Sequence, residues 1–87
     1  MHPVKQVYID PSVSRRSLQK HRQFLNERYV EEGVWNTPDE ELIYEDESHF
    51  RIERLRKTDD RWVKVILWVH EREGFYWVGK IHVTSVK

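Results

Sequence analysis

The sequence has no cysteine. Disulfide frameworks and thiolate chemistry are therefore excluded, and a cytosolic setting is the simplest expectation. Glycine and proline are scarce, three of each in 87 residues, which excludes a linker or low-complexity chain. No apolar run approaches the ~18 residues that a membrane-spanning helix needs, so a membrane is not an expected partner. The first residues carry no signal-peptide pattern, and no internal repeat is present. Charge of one sign is also missing: 15 Lys and Arg balance 15 Asp and Glu. That argues against a strongly basic, non-specific DNA binder, but not against RNA, because local patches outweigh the total.

Familiar catalytic signatures are absent too. The five histidines, His2, His21, His49, His70 and His82, fall at no metal-ligand spacing. There is no Gly-rich phosphate loop and no nucleophile elbow, so no cofactor is called for. A chain of this length makes one domain with a modest core, burying roughly 60–65% of its unfolded surface.

What is present is a long hairpin. Residues 61–70 and 75–84 are two runs rich in Val, Ile, Trp and Tyr, as strands prefer, joined by Glu71-Arg72-Glu73-Gly74. A three-residue loop, Arg72-Glu73-Gly74, with left-handed Gly74 closing a bulge, predicts the register. Val69 then faces Trp77, Leu67 faces Gly79, Val65 faces Ile81 and Val63 faces Val83, a wholly apolar face. The other face pairs His70 with Tyr76, Trp68 with Val78, Ile66 with Lys80, Lys64 with His82 and Trp62 with Thr84. A slip of one residue would set Lys80 and His82 opposite core valines.

That second face carries two Trp, a Tyr, two Lys and two His. Three uses compete: cover by another part of the chain such as the N-terminal strand, a protein interface, or stacking and phosphate contacts with single-stranded nucleic acid. The candidate binding residues are Trp62, Trp68, His70, Tyr76 and Lys80.

Upstream, Val4 to Ile9 reads as a first strand. Asp10-Pro11 then opens a helix, Asp as N-cap and Pro in the first turn, with Ser12 and Ser14 as alternative caps a few residues on. The helix is predicted to run to about Glu32, with Gly33 as its stop. Leu18, Leu25 and Tyr29 form its apolar stripe, flanked by Ser14, His21 and Arg22. Its charges oppose the macrodipole: Arg15, Arg16, Lys20 and Arg22 crowd the first half, Glu27, Glu31 and Glu32 the second. Either Asp46, Glu47 or Glu53 from the sheet neutralises the basic end, or Arg15, Arg16 and Lys20 serve a partner. Asn36-Thr37-Pro38-Asp39 makes a connector. Leu42-Ile43-Tyr44 is a short apolar run that either opens a strand across Glu45-Asp46-Glu47-Ser48 or stops there. Phe50 to Arg56 is a better strand, whose alternation shifts phase at Leu55 and predicts a bulge or strand end near Arg54. Gly79 marks a bulge or a close approach.

Lys64 and His82, as expected cross-strand neighbours, offer chemistry. A His beside a Lys has its charged form disfavoured, which suits a base near neutral pH. Metal-free RNA cleavage needs such a base, cations on the phosphate and an acid for the leaving group. A partly exposed pair with no catalytic role gives the same pattern.

Here the chain resembles the small RelE-like and BrnT-like ribonuclease toxin domains. The resemblance rests on Lys64-Val65-Ile66-Leu67-Trp68-Val69-His70-Glu71-Arg72-Glu73, on Ile81-His82-Val83-Thr84, and on His21 followed by Glu27-Arg28 in the helix. The chain departs from that pattern at Arg22, where those domains place Ala, and in the Glu-Arg pair, which falls one residue early. The resemblance implies a helix before an antiparallel sheet, RNA cleavage without metal, restraint by an antitoxin-like protein, and His21, Arg28, Lys64 and His82 as the residues that matter.

The expected fold is α+β, one long N-terminal helix packed on an antiparallel sheet of three to five strands in β-α-β-β-β order. Two functions follow. One is an RNA-binding, RNA-cleaving, toxin-like cytoplasmic domain. The other is a non-enzymatic module, a phage-type or defence-type inhibitor of a protein or a homodimer, that uses the Trp62/Trp68 face.

Overall fold

Two separate N-caps divide what the sequence reads as one helix. The computed structural model describes residues 6–86; Val4, Lys5 and His2 lie outside them. After strand β1 (Gln6–Ile9), the Asp10 carboxylate accepts the Ser12 backbone N–H at 2.9 Å and opens α1 (Pro11–Val13), which continues as a π-helical segment, Ser14–Leu18. The chain then turns. The backbone N–H groups of Phe24 and Leu25 both donate to the His21 carbonyl, at 3.0 and 2.8 Å. Asn26 starts again: its side chain accepts the Tyr29 N–H at 2.8 Å and caps α2 (Glu27–Asn36), a contact worth about 1 kcal/mol.

The expected long helix to Glu32 is therefore corrected to two short ones, and the reason is electrostatic as well as local. On one helix the charges oppose the macrodipole. On two, Arg15 and Arg16 fall in the last turn of the π segment and Glu27 in the first turn of α2, the favourable ends for each sign. Gly33 is not the stop. It lies inside α2, where a Cβ would meet Leu67 Cδ1 at 3.6 Å, so the helix sits close over the sheet. The stop is Thr37, extended at φ −78°, ψ 122°, as a residue before proline must be.

A short 3₁₀ turn (Asp39–Glu41) leads to β2 (Ile43–Tyr44), β3 (His49–Lys57), β4 (Trp62–Arg72) and β5 (Phe75–Val86). The sheet has five strands in the order β1-β5-β4-β3-β2. The fold is α+β, but the sheet is mixed and not purely antiparallel: β1 runs parallel to β5, pairing Gln6–Ile9 with Phe75–Val78. The element order, β-α-α-β-β-β-β, also differs from the expected one.

The hairpin register is corrected in two places. Arg72 pairs with Phe75, so the loop is only Glu73-Gly74, with Gly74 at φ 85°. A bulge then falls between Trp68 and Val69, opposite Gly79, which pairs Val69 with Val78 but Trp68 with Lys80. The cause is a phase conflict within β5. Tyr76 and Val78 share one alternation, Ile81 and Val83 the other, and one extra residue puts all four on the same face. Trp77 consequently leaves the core face and Tyr76 joins it, 3% exposed.

No bulge occurs near Arg54. β3 pairs with β4 without a shift from His49–His70 to Lys57–Trp62. Arg54 and Arg56 do occupy the helix-covered face, but past the apolar centre, where each finds a polar or aromatic anchor. Arg54 donates to Thr37 Oγ1 at 2.8 Å, and the Arg56 guanidinium lies 4.4 Å from the Tyr29 ring centroid. The core between helices and sheet joins Val13, Leu18, Leu25, Val30 and Val34 to Phe50, Ile52, Val63, Val65, Leu67, Val69, Val78 and Ile81.

Candidate nucleic-acid interface

The helices cover one face of the sheet, and no described residue covers the other. β1, the expected cover, lies in the plane of the sheet as an edge strand instead. The pairing sets side chains of this open face into rows across the strands. One row is made of rings alone: Tyr8, Trp77, His70 and His49, contributed by β1, β5, β4 and β3. Phe75 meets Tyr8 edge-on at 5.2 Å, and the His49 and His70 rings stack at 4.0 Å and 20°. The next row holds Lys80, Trp68, Arg51 and Ile43. Further along, Trp62 is 48% exposed.

Cations sit against these rings. Lys80 Nζ lies 4.8 Å from the Trp68 ring centroid and Lys57 Nζ 6.0 Å from that of Trp62. The β3 half of the face is different, because its charges are already satisfied. Glu53 accepts Arg51 Nε at 2.9 Å and Lys64 Nζ at 3.0 Å, and Glu45 takes Arg51 Nη1 at 3.4 Å. The Arg51 hydrogen bond, then that of Lys64, holds the Glu53 carboxyl below its ordinary value.

Lys64 and His82 are not partners. Lys64 pairs with Thr84 and His82 with Ile66, a consequence of the shorter loop and the bulge. Arg28 is on the exposed side of α2, its Nε 2.9 Å from Glu32. The four residues His21, Arg28, Lys64 and His82 are therefore not gathered at one place. The charge of His82 does reach His21. The Ser17 hydroxyl donates to the Ile81 carbonyl at 3.3 Å and ties the π segment to β5 beyond the end of β1. Burial holds His21 below the ordinary imidazole range, aided by the charges of Lys20, Arg61 and His82. Tyr76, expected among the binding residues, belongs to the core; Trp62, Trp68, His70 and Lys80 are on the open face as expected.

The basic segment keeps its charge. Residues 11–26 contain Arg15, Arg16, Lys20 and Arg22 and no carboxylate. None of those four enters an ion pair among the described residues. Two of the three expected neutralisers are engaged elsewhere: Asp46 with His49 at 2.9 Å, and Glu53 with Arg51 and Lys64. Six carboxylates instead gather between Asp39 and Glu47. The zero net charge thus conceals a segregation of sign. Sequence reasoning missed Tyr8, Phe75, Trp77 and His49. The alternation in β5 carried the signal for Trp77, once Gly79 is read as the bulge; the parallel pairing that brings in Tyr8 has no local signal.

The histidines make stability pH-dependent. Desolvation, then the His49 charge, holds His70 below 6.5. A depressed imidazole means that the unfolded chain takes up the proton first. The contribution of His70 and His21 is therefore complete above pH 6.5 and declines as the pH falls below it. A second decline follows between 3.8 and about 2, where Asp46 loses the bonds from Ser48 and His49 that depress it. Melting temperature should drop from pH 7.5 to 5.5 and do so less in His70→Asn; a wild-type curve flat over that interval would contradict the depressed values.

Compared with known proteins, the chain matches no family model, no curated protein and no solved structure.

Proposed function

We propose that this chain binds single-stranded RNA, with bases stacking on the open sheet face and the phosphate backbone following the basic segment along β5. The observation that carries the reading is the carboxylate-free segment 11–26, none of whose four cations forms an ion pair among the described residues, although the Arg15 charge is felt at Asp10. Unpaired Lys and Arg on a segment tied to β5, in a sheet whose other face carries exposed rings, are what a flexible polyanion with π-faced bases requires. A protein partner would use the rings equally well but leaves the segregated charge without a role. The resemblance to RelE-like toxin domains points the same way, and a cytoplasmic location goes with it. Among the described residues no helix is long and apolar enough to cross a membrane.

Cleavage of the bound strand is a second reading, favoured by the charges of Lys20, Arg61 and His82 acting on His21. One imidazole would take the 2′-hydroxyl proton as that oxygen attacks phosphorus. The other would protonate the departing 5′-oxygen, leaving a cyclic phosphate, with the cations on the phosphoryl oxygens. One titration tests both readings: an end-labelled RNA oligonucleotide is followed for retention and for length. Binding that weakens as salt rises supports the first, and shortening abolished by His21→Ala or His82→Ala the second. No retention at low salt contradicts both.

A further inference from the structure

The bulge at Gly79 opens a cleft of about 220 Å³ in the open face, lined chiefly by Trp68, Trp77, His49, His70, Glu45 and Gly79 itself. The bulge resets the strand phase at Gly79, whose backbone lies against the Trp77 indole: a Cβ there would make ordinary van der Waals contact with Cδ1 and Nε1 at 3.6 and 3.7 Å. The volume lies below the roughly 300–1,000 Å³ of sites for drug-sized ligands, so the cleft suits one planar ring system and not a whole nucleotide. Its walls are π surfaces. Beside the imidazole nitrogens of His49 and His70, its charged group is Glu45, whose Oε1 takes Arg51 at 3.4 Å while Oε2 has no partner among the described residues.

We propose that this cleft is a slot for one unpaired nucleobase bearing an amino group, stacked against Trp68 and Trp77 and read by the Glu45 carboxylate. The proposal rests on the RNA reading above and adds to it a site and a base preference. The free carboxylate oxygen accepts from adenine N6, cytosine N4 or guanine N2; uracil lacks an exocyclic donor. An organic cation is the competing guest for a ring-walled cleft. Two cations already rim this one, Arg51 on Glu45 and Lys80 over Trp68, and they would repel a third. The same two are well placed for the phosphates on either side of a seated base.

The test uses the full chain and short oligouridine RNAs with one central position changed to A, C, G or an abasic sugar, measured by indole fluorescence at low salt. Each amino-bearing base should tighten binding about tenfold over uridine or the abasic site, the size expected of one stacked and hydrogen-bonded base. Glu45→Leu should erase the preference over uridine while retaining that over the abasic site. Trp77→Leu should erase both. Equal, salt-dependent binding of every oligonucleotide overturns the slot and leaves the RNA reading standing. So does a preference untouched by both variants, or displacement of the central base by tetramethylammonium. Absence of binding to any RNA overturns the RNA reading, and the slot with it.

Discussion

Reversing three charges, Arg15→Glu, Arg16→Glu and Lys20→Glu, should lower the affinity for single-stranded RNA by about 100-fold or more. The size follows from the polyelectrolyte character of the partner. Each cation that meets a phosphate releases a counterion, and for single strands the logarithmic salt slope is about 0.7 per contact. Three reversals delete up to three contacts and add three repulsions, so the salt slope should fall by about 2 along with the affinity. The fold should survive, because all three side chains are exposed and no ion pair among the described residues holds them. Surface changes of this kind stay within about 0.5 kcal/mol, although the last turn of the π segment loses favourable charges. Filter binding across a salt series checks both quantities. Affinity and slope unchanged from wild type would remove the basic segment from the site.

Phe50→Ala should destabilise the fold by about 3–5 kcal/mol, a large share of what a domain of this size possesses. Phe50 is 2% exposed. It joins β2 to the hairpin: its ring meets Tyr76 edge-on at 6.0 Å and Tyr44 at 5.3 Å, and its backbone pairs with Val69. Tyr76 is held above the ordinary phenol range by burial first and then by Glu71, and the void opens against its ring. Urea denaturation measures the loss. A change under about 1 kcal/mol would mean that the core does not close around this ring. The same substitution should weaken RNA binding too, since β3 carries His49 and Arg51 on the other face.

How far the sequence disclosed this arrangement depends on the range of the interaction concerned. β4 and β5 were legible from their alternation, and Asp10-Pro11 from capping chemistry, because both act over a few residues. The helix break was legible as well, although in another form. The charges that ran against a single helix are correct for two, and Asn26 before Glu27 is an ordinary cap signal. The register of β5 was partly legible. Tyr76 and Val78 conflict in phase with Ile81 and Val83, and Gly79 stands where the conflict must resolve, but a three-residue loop satisfied the turn chemistry and hid it. The break in alternation at Leu55 misled for a different reason. Arg54 and Arg56 read as polar positions off the core, yet they reach Thr37 at the end of α2 and Tyr29 within it, contacts that only the tertiary packing creates.

The site divides along the same line. Trp62, Trp68, His70 and Lys80 follow from the hairpin alone and are on the open face as expected. Tyr8 enters the ring row through a parallel pairing some 70 residues away in sequence, which no local pattern encodes. The ionic state of the face depends on Glu45 and Glu53, whose partners were settled by strand order. That is why Lys64, attractive beside His82 on paper, is instead bound to Glu53 at 3.0 Å.

The most direct test of RNA binding at this face is an NMR titration of the labelled protein with a short mixed-sequence RNA at low salt, following the indole N–H signals. The account predicts that Trp68 and Trp77 shift together with the amides of Lys80, His82 and Lys20, and that the shifts vanish as salt is raised. Signals that ignore RNA but change on dilution would contradict it and assign the open face to an interface between copies of this chain.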